Sequence, residues 1–290
     1  MTTARPVPGE TPSMDMHTLC TDLQAEYDVL DAFLACLDEA GWNTPTPAPG
    51  WLVRDQISHL GWADRAATLA VATPERFTTE LVSQPRQERV AHQLATGRTL
   101  AGPALLAWWQ TGRALMLAAL RPLDPKARVP WFGPPMSALS CATARLMETW
   151  AHGQDIVDAL GGHRPATARL RHIAHLGVLT RPFSYRIRGQ EPPVAEIRVE
   201  LRSPTGSLWT WGAPAAANCI RGPALDFCLV ITQRRHPTDT TLQMTGPLAA
   251  EWMELAQAFA GPPGAGRQPG QFAPPDQESA RVERRVQERE

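Results

Sequence analysis

No stretch of this sequence is apolar for long enough to span a bilayer. Its opening residues, Met1-Thr2-Thr3-Ala4-Arg5-Pro6-Val7-Pro8-Gly9-Glu10, lack the apolar core of a signal peptide. The expectation is a cytoplasmic protein with no membrane partner. Neither sign of charge is in excess: 28 basic and 29 acidic residues leave a formal net charge of -1, which offers no electrostatic footprint for nucleic acid. Cysteine is scarce. The five positions, Cys20, Cys36, Cys141, Cys219 and Cys228, contain no C-x-x-C pair, which argues against a disulfide framework and against a structural zinc cluster. Tyrosine is nearly missing, 2 residues against 10 Trp, and the Trp-rich stretches can line an apolar pocket or equally fill a core.

What is present is enough apolar material, 43% of 290 residues, to build one large domain or two of ordinary size. After a Pro-rich lead-in over residues 1–13, Leu19, Leu23, Tyr27, Leu30, Leu34 and Leu37 recur at helical spacing and predict a helix from Met14 to Asp38. Three prolines and Gly50 between Trp42 and Trp51 force a turn, after which a second helix is expected from Val53 to Val71. A polar segment with a helical stretch at Glu88 to Thr96 leads to a third helix, Pro103 to Leu120. The proline-fixed loop Val129-Pro130-Trp131-Phe132-Gly133-Pro134-Pro135-Met136 then enters a fourth, which Ser137 can cap and Gly161-Gly162 can stop. Four helices with proline-rich connections describe a four-helix bundle over residues 14–163.

Beyond His163 the pattern changes. A helix from Thr167 to Leu179 precedes the strict alternation Glu196-Ile197-Arg198-Val199-Glu200-Leu201-Arg202, a strand that Ser203-Pro204-Thr205-Gly206-Ser207 turns back into Leu208-Trp209-Thr210-Trp211. Ala224 to Arg235 reads as a helix, Thr241 to Thr245 as a strand and Leu248 to Phe259 as a last amphipathic helix. The fold class is α+β: the bundle, a small α/β domain over residues 164–262 packed on it, and a disordered tail over residues 263–290.

The fourth helix carries a polar stripe of Arg145, Glu148, His152 and Asp155, with Cys141 on the same line. Residues four apart share a helix face, so Glu148 and His152 can direct a carboxylate and an imidazole at one point. A solvated helix face carries such pairs as well. His59 in the second helix has Trp62, Ala63 and Ala66 at helical spacing and should face the bundle interior, either as a hydrogen-bonded core residue or as a third ligand. Two histidines and one carboxylate from facing helices suit a catalytic zinc with an open position, and the same set serves Fe(II). Arg145 and Asp155 can fix a substrate anion and orient His152, or pair with each other. Trp131 and Phe132, loop aromatics just ahead of this helix, are the pocket candidates for binding a cofactor or cosubstrate.

The segments Pro49-Gly50-Trp51-Leu52-Val53-Arg54-Asp55-Gln56-Ile57-Ser58-His59-Leu60 and Arg145-Leu146-Met147-Glu148-Thr149-Trp150-Ala151-His152-Gly153-Gln154-Asp155-Ile156, with the Trp-Phe-Gly-Pro-Pro-Met loop, resemble the DinB/YfiT-like superfamily of metal-binding four-helix bundles. Within it they are most similar to the actinobacterial mycothiol-dependent maleylpyruvate isomerase branch, in the subgroup of metal-binding proteins that carry a small α/β domain after the bundle. The resemblance runs from Met14 to Pro262. It implies a Zn2+ ion, with Fe2+ or Ni2+ as alternatives, held by His59, Glu148 and His152 and activating the thiol of mycothiol. It also implies an assisting basic residue from the C-terminal domain, for which Arg234, beside Arg235, is the candidate. The expected partners are a small-molecule substrate and a low-molecular-weight thiol, in a monomer or homodimer. Three activities follow: a zinc enzyme of the mycothiol-dependent isomerase or S-transferase type, a thiol-independent metal-dependent hydrolase, lyase or cyclase acting on a secondary metabolite, or a non-catalytic small-ligand-binding protein.

Overall fold

The computed structural model describes residues 15–272. The expected lead-in lies outside them, as does the tail beyond Phe272. Helix α1 (Met16–Leu34) starts where the Asp15 carboxylate accepts from the Thr18 amide at 2.7 Å, and it buries Leu19, Leu23, Tyr27, Leu30 and Leu34. It stops short of the expected Asp38, because that side chain instead accepts from Gly41 N at 2.8 Å and caps a short helix, α2 (Glu39–Trp42). Trp42 is thereby delivered into the core. The proline turn follows, and α3 (Val53–Ala72) begins with the Asp55 carboxylate accepting from Leu52 N at 3.1 Å.

The polar segment is more structured than its composition suggests. It forms α4 (Pro74–Phe77), a π-helical turn (Thr78–Val82) and α5 (Arg86–Thr99), longer at both ends than the expected stretch. Helix α5 lies close on α3 at Gly97, where a Cβ would stand 2.7 Å from Arg54 O, and Gly97 N donates to Ser58 Oγ at 2.8 Å. Helix α6 (Gly102–Leu120) then packs along α3. A two-residue antiparallel pair, β1 (Arg128–Val129) with β2 (Met136–Ser137), pinches off the Trp131-Phe132 loop. Ser137 caps α7 (Ala138–Ala159) as expected, its Oγ accepting from Ser140 N at 3.0 Å, and Gly161 leaves it at φ +61°. Helices α1, α3, α6 and α7 form the bundle, with α3 and α7 in contact.

The C-terminal part comprises α8 (Leu170–Leu179), α9 (Arg181–Arg186), β3 (Ile197–Arg202), β4 (Leu208–Trp211), β5 (Asn218–Pro223), α10 (Ala224–Ile231), β6 (Gln243–Thr245) and α11 (Pro247–Leu255). Its sheet has the order β4-β3-β5-β6, with β3 and β5 parallel, Val199 opposite Ile220, and the outer pairs antiparallel. Ile197, Val199 and Leu201 alternate inward as their pattern predicts. Strand β5 escapes sequence reading. Its Gly222-Pro223 end reads as a breaker, and its partner β3 is joined to it by a long-range parallel register.

Two boundaries are corrections that matter for the site. The helix expected to reach Arg235 ends at Ile231: Thr232 Oγ1 donates to Cys228 O at 2.7 Å and Gln233 takes φ +59°, so Arg234 and Arg235 swing back toward α7. Residues 263–272, expected to belong to a disordered tail, are folded onto the protein. Gly270 N and Phe272 N both donate to the Asp239 carboxylate, at 2.7 and 3.2 Å, and the Arg235 guanidinium lies 4.0 Å over the Phe272 ring. Among the described residues no helix is long and apolar enough to cross a membrane.

Candidate metal centre

Contact between α3 and α7 brings His59 opposite Glu148 and His152. His152 Nε2 lies 3.1 Å and His59 Nε2 4.0 Å from the same atom, Glu148 Oε2, and the imidazole centroids are 4.5 Å apart. Among the described residues these three are the one set of His, Cys, Asp or Glu side chains whose ligand atoms all fall within 4.8 Å of one another. They sit just beneath the surface, with 19% of the His59 and Glu148 side chains and 13% of His152 exposed. Trp51, fixed by the proline turn, stacks on His152 at 5.8 Å between centroids and meets His59 edge-on at 5.4 Å.

The second nitrogen of each ring has its own acceptor: His152 Nδ1 is 2.5 Å from Gln56 Oε1, and His59 Nδ1 is 3.2 Å from Gln93 Oε1. With Nδ1 turned to its glutamine, Nε2 is the atom each ring directs at Glu148, where a proton on it donates to the carboxylate and, once that proton is gone, its lone pair is free for a metal. Burial, with the charge of His152 second, brings His59 down from 6.5 to about 3. Burial pushes the Glu148 carboxyl up, but the hydrogen bond and charge of His152, together with His59 and Arg145, outweigh it and hold the group at about 2. The set therefore presents a neutral imidazole at His59 and an ionised carboxylate near neutral pH, so a cation displaces no proton from either. These residues fit a divalent ion.

The curated relatives include two Mycobacterium tuberculosis proteins, from strains H37Rv and CDC 1551 and both described as uncharacterised. Each is 47% identical over 256 residues, covering 87% of this chain and 99% of the relative. Residues 23–157 match the family model of the mycothiol maleylpyruvate isomerase N-terminal domain. The bundle belongs to the mycothiol maleylpyruvate isomerase N-terminal domain family. A crystal structure of the mycothiol-dependent maleylpyruvate isomerase has a TM-score of 0.56 at 16% identity, covering 80% of this chain and 93% of that one. A histidine-to-alanine mutant of that enzyme gives 0.55 at 15%, covering 79% and 93%. At such identity the likeness is one of fold.

In this family member the other expected site residues are placed differently. Arg145 turns away from Asp155 and into the bundle, where its Nε donates to Asp64 Oδ1 at 3.0 Å beside Trp109 Nε1, itself 3.0 Å from Asp64 Oδ2. Its Nη2 is buried without a hydrogen-bond partner. Asp155 does not reach His152: Gln56 occupies that ring nitrogen. Asp155 instead receives Arg234 Nη2 at 2.8 Å and Arg267 Nη2 at 2.5 Å. Arg234 spends its remaining donors on Ala151 O and Thr232 O, at 3.0 and 2.7 Å, so it acts as a clamp between the C-terminal part and α7.

Trp131 and Phe132 part company: the first lies beside Glu148 of the triad and the second does not line that space. Trp131 lines a cavity of about 120 Å³ together with Arg145, Glu148 and Cys141, whereas Phe132 stacks on Trp62 of α3 at 5.6 Å. Four contributors went unmarked in the sequence. Gln56 and Trp51 lie inside the first quoted motif and a helical reading puts Gln56 one turn before His59. Gln93 and Asp64 reach their partners only through the packing of α5 and α7 on α3, and nothing local signals them.

Proposed function

We propose that this protein is a metal-dependent enzyme that uses mycothiol in an isomerisation or S-transfer, with His59, Glu148 and His152 as the metal ligands. The observation that carries the reading is the triad itself: three converging ligand atoms, each histidine oriented by a glutamine, on a chain whose bundle belongs to a family named for a mycothiol isomerase. When bound, a divalent ion supplies Lewis acidity and keeps a thiol in its thiolate form near neutral pH.

The chain's own residues do the rest. Gln56 and Gln93 hold the ring planes, and Glu148 contributes the one negative charge of the ligand set. Trp51 screens the histidine faces from water. The cavity beside Glu148 has apolar walls from Trp131, Met136 and Phe259 and one cationic group, Arg145, which suits a small anionic or carbonyl-bearing substrate. Arg234 supports the site from behind α7 and holds the C-terminal part against it.

Metal analysis of protein purified without chelator tests the first half of the reading. Stoichiometric zinc, iron or nickel is expected in the wild type and loss of it in His152→Ala; undiminished metal in that variant would remove the triad from consideration. Titrating mycothiol into the Co(II)-substituted protein tests the second half, with a thiolate-to-cobalt absorption band as the expected result. A silent titration on fully loaded protein would leave a metal enzyme that does not use this thiol.

A further inference from the structure

The cavity beside Glu148 holds about 120 Å³, whereas pockets that bury a drug-sized ligand run to about 300 Å³ and more. Mycothiol carries its cysteine on a glucosaminyl-inositol, a bulky and hydroxyl-rich body that such a space does not admit. If the thiol is used, its sugar portion must lie elsewhere, within reach of the triad.

We propose that the cleft between α3, the π-helical turn and α5 is the binding site for that glycoside portion, an inference that rests on the mycothiol reading above. The cleft measures about 540 Å³ and is bordered by Trp62, whose ring stacks on Phe132. Trp62 and Trp108 are both half-buried and both line it. Each is held by packing: Trp62 is stacked on Phe132 with an interplanar angle of 17°, and Trp108 lies so close on Gly61 that a Cβ there would meet its ring at 2.2 Å. Fixed indole faces offer a platform for the C–H faces of a sugar ring, with large contact area and little entropy to lose.

Around these faces stand groups that can answer hydroxyls in both directions. Arg65 donates only, while Gln84, His92 and Thr96 both donate and accept, and Gln84 Oε1 and His92 Nδ1 lie 3.3 Å apart. An apolar ligand would leave these groups unanswered, whereas a polyol pairs with them.

The position fits the distance. Trp62 and Ala66 follow His59 on one stripe of α3, so at about 1.5 Å rise per residue the near end of the cleft is roughly 5 Å along the axis from the ligand and Ala66 roughly 10 Å. A cysteinyl amide linker covers that interval. Helix α5 couples the two places as well, because Gln93, which holds His59, is the neighbour of His92 in the cleft wall.

The test compares two thiols on the Co(II)-loaded full-length protein. Mycothiol is measured against N-acetylcysteine, which keeps the thiol and lacks the sugar, in wild type and in Trp62→Leu, Gln84→Ala and His92→Ala. The last two replace surface side chains and leave the core intact. Mycothiol should bind the wild type at least about tenfold more tightly than N-acetylcysteine, and each variant should lose roughly three- to tenfold for mycothiol with cobalt content and N-acetylcysteine affinity unchanged. Free glucosaminyl-inositol should compete with mycothiol in the wild type without altering the cobalt spectrum. Equal affinity for the two thiols, or variants that bind mycothiol like wild type, overturns the cleft assignment while the thiol reading stands. No binding of either thiol to loaded wild type overturns both.

Discussion

Gln56 Oε1 lies 2.5 Å from His152 Nδ1, and that contact sets which nitrogen of the ring faces Glu148. The amide is itself held, because Gln56 Nε2 donates to Thr46 Oγ1 at 2.9 Å, so the oxygen is the atom turned to the histidine. Removing it in Gln56→Leu should leave the fold intact and weaken metal affinity by about 10- to 100-fold, the usual cost of losing the group behind a ligand. Chelator competition read against circular dichroism checks this; a variant with wild-type affinity would show that the ring is positioned by Trp51 and the helix alone.

Asp64 is fully enclosed and pairs with Arg145, which borders the cavity beside Glu148, so that the two connect α3 to α7 next to the site. Asp64→Asn leaves a buried guanidinium without its counter-charge and should cost about 3–5 kcal/mol in denaturant unfolding. The double variant Asp64→Asn with Arg145→Met should recover a large part of that loss, since it removes the stranded charge. An additive double variant would mean that the two residues do not act as a pair.

Stability of the metal-free protein should fall on acidification. The unfolded chain protonates His59 near 6.5 and the folded one only near 3, so the stability that comes from keeping this imidazole neutral is complete above 6.5 and is lost as pH falls through the window to about 3. Glu148, held at about 2 against 4.5, adds a second loss below 4.5 in the same direction. At about 1.4 kcal/mol per unit the combined effect amounts to several kcal/mol. Urea midpoints measured on chelator-treated protein should drop between pH 7 and 4.5, and drop less in His59→Asn. An identical profile in that variant would place the acid sensitivity elsewhere.

Thiol chemistry should single out one cysteine. Cys36 is exposed, whereas Cys20, Cys141, Cys219 and Cys228 are buried. Burial pushes the Cys141 thiol up to about 11 despite the nearby Arg145, and it pushes Cys228 well above its ordinary value. Native protein at pH 8 should therefore release one fast equivalent with an aromatic disulfide reagent and the other four only on unfolding. Fast modification of Cys141 would mean that the cavity beside Glu148 opens widely in solution.

What could be read from the residues alone was whatever is local or periodic. The leucine stripe of α1, the Ser137 cap, the alternation of β3 and the four-residue step from Glu148 to His152 depend on neighbours along one helix or strand, and the structure carries each of them. His59 was legible as an inward-facing histidine because its own helix supplied the evidence, and the family resemblance named it as the third ligand. The tertiary structure decided everything that depends on which face meets which. It gave Asp155 to Arg234 and Arg267 instead of to His152, turned Arg145 to Asp64, and supplied Gln56 and Gln93 as the groups that orient the rings. A polar side chain on a stripe has several partners within reach, and burial makes one of them pay the least in unmet hydrogen bonds. That choice is settled only when α3, α5 and α7 close together, which is why spacing and resemblance pointed to three candidate ligands and packing determined what surrounds them.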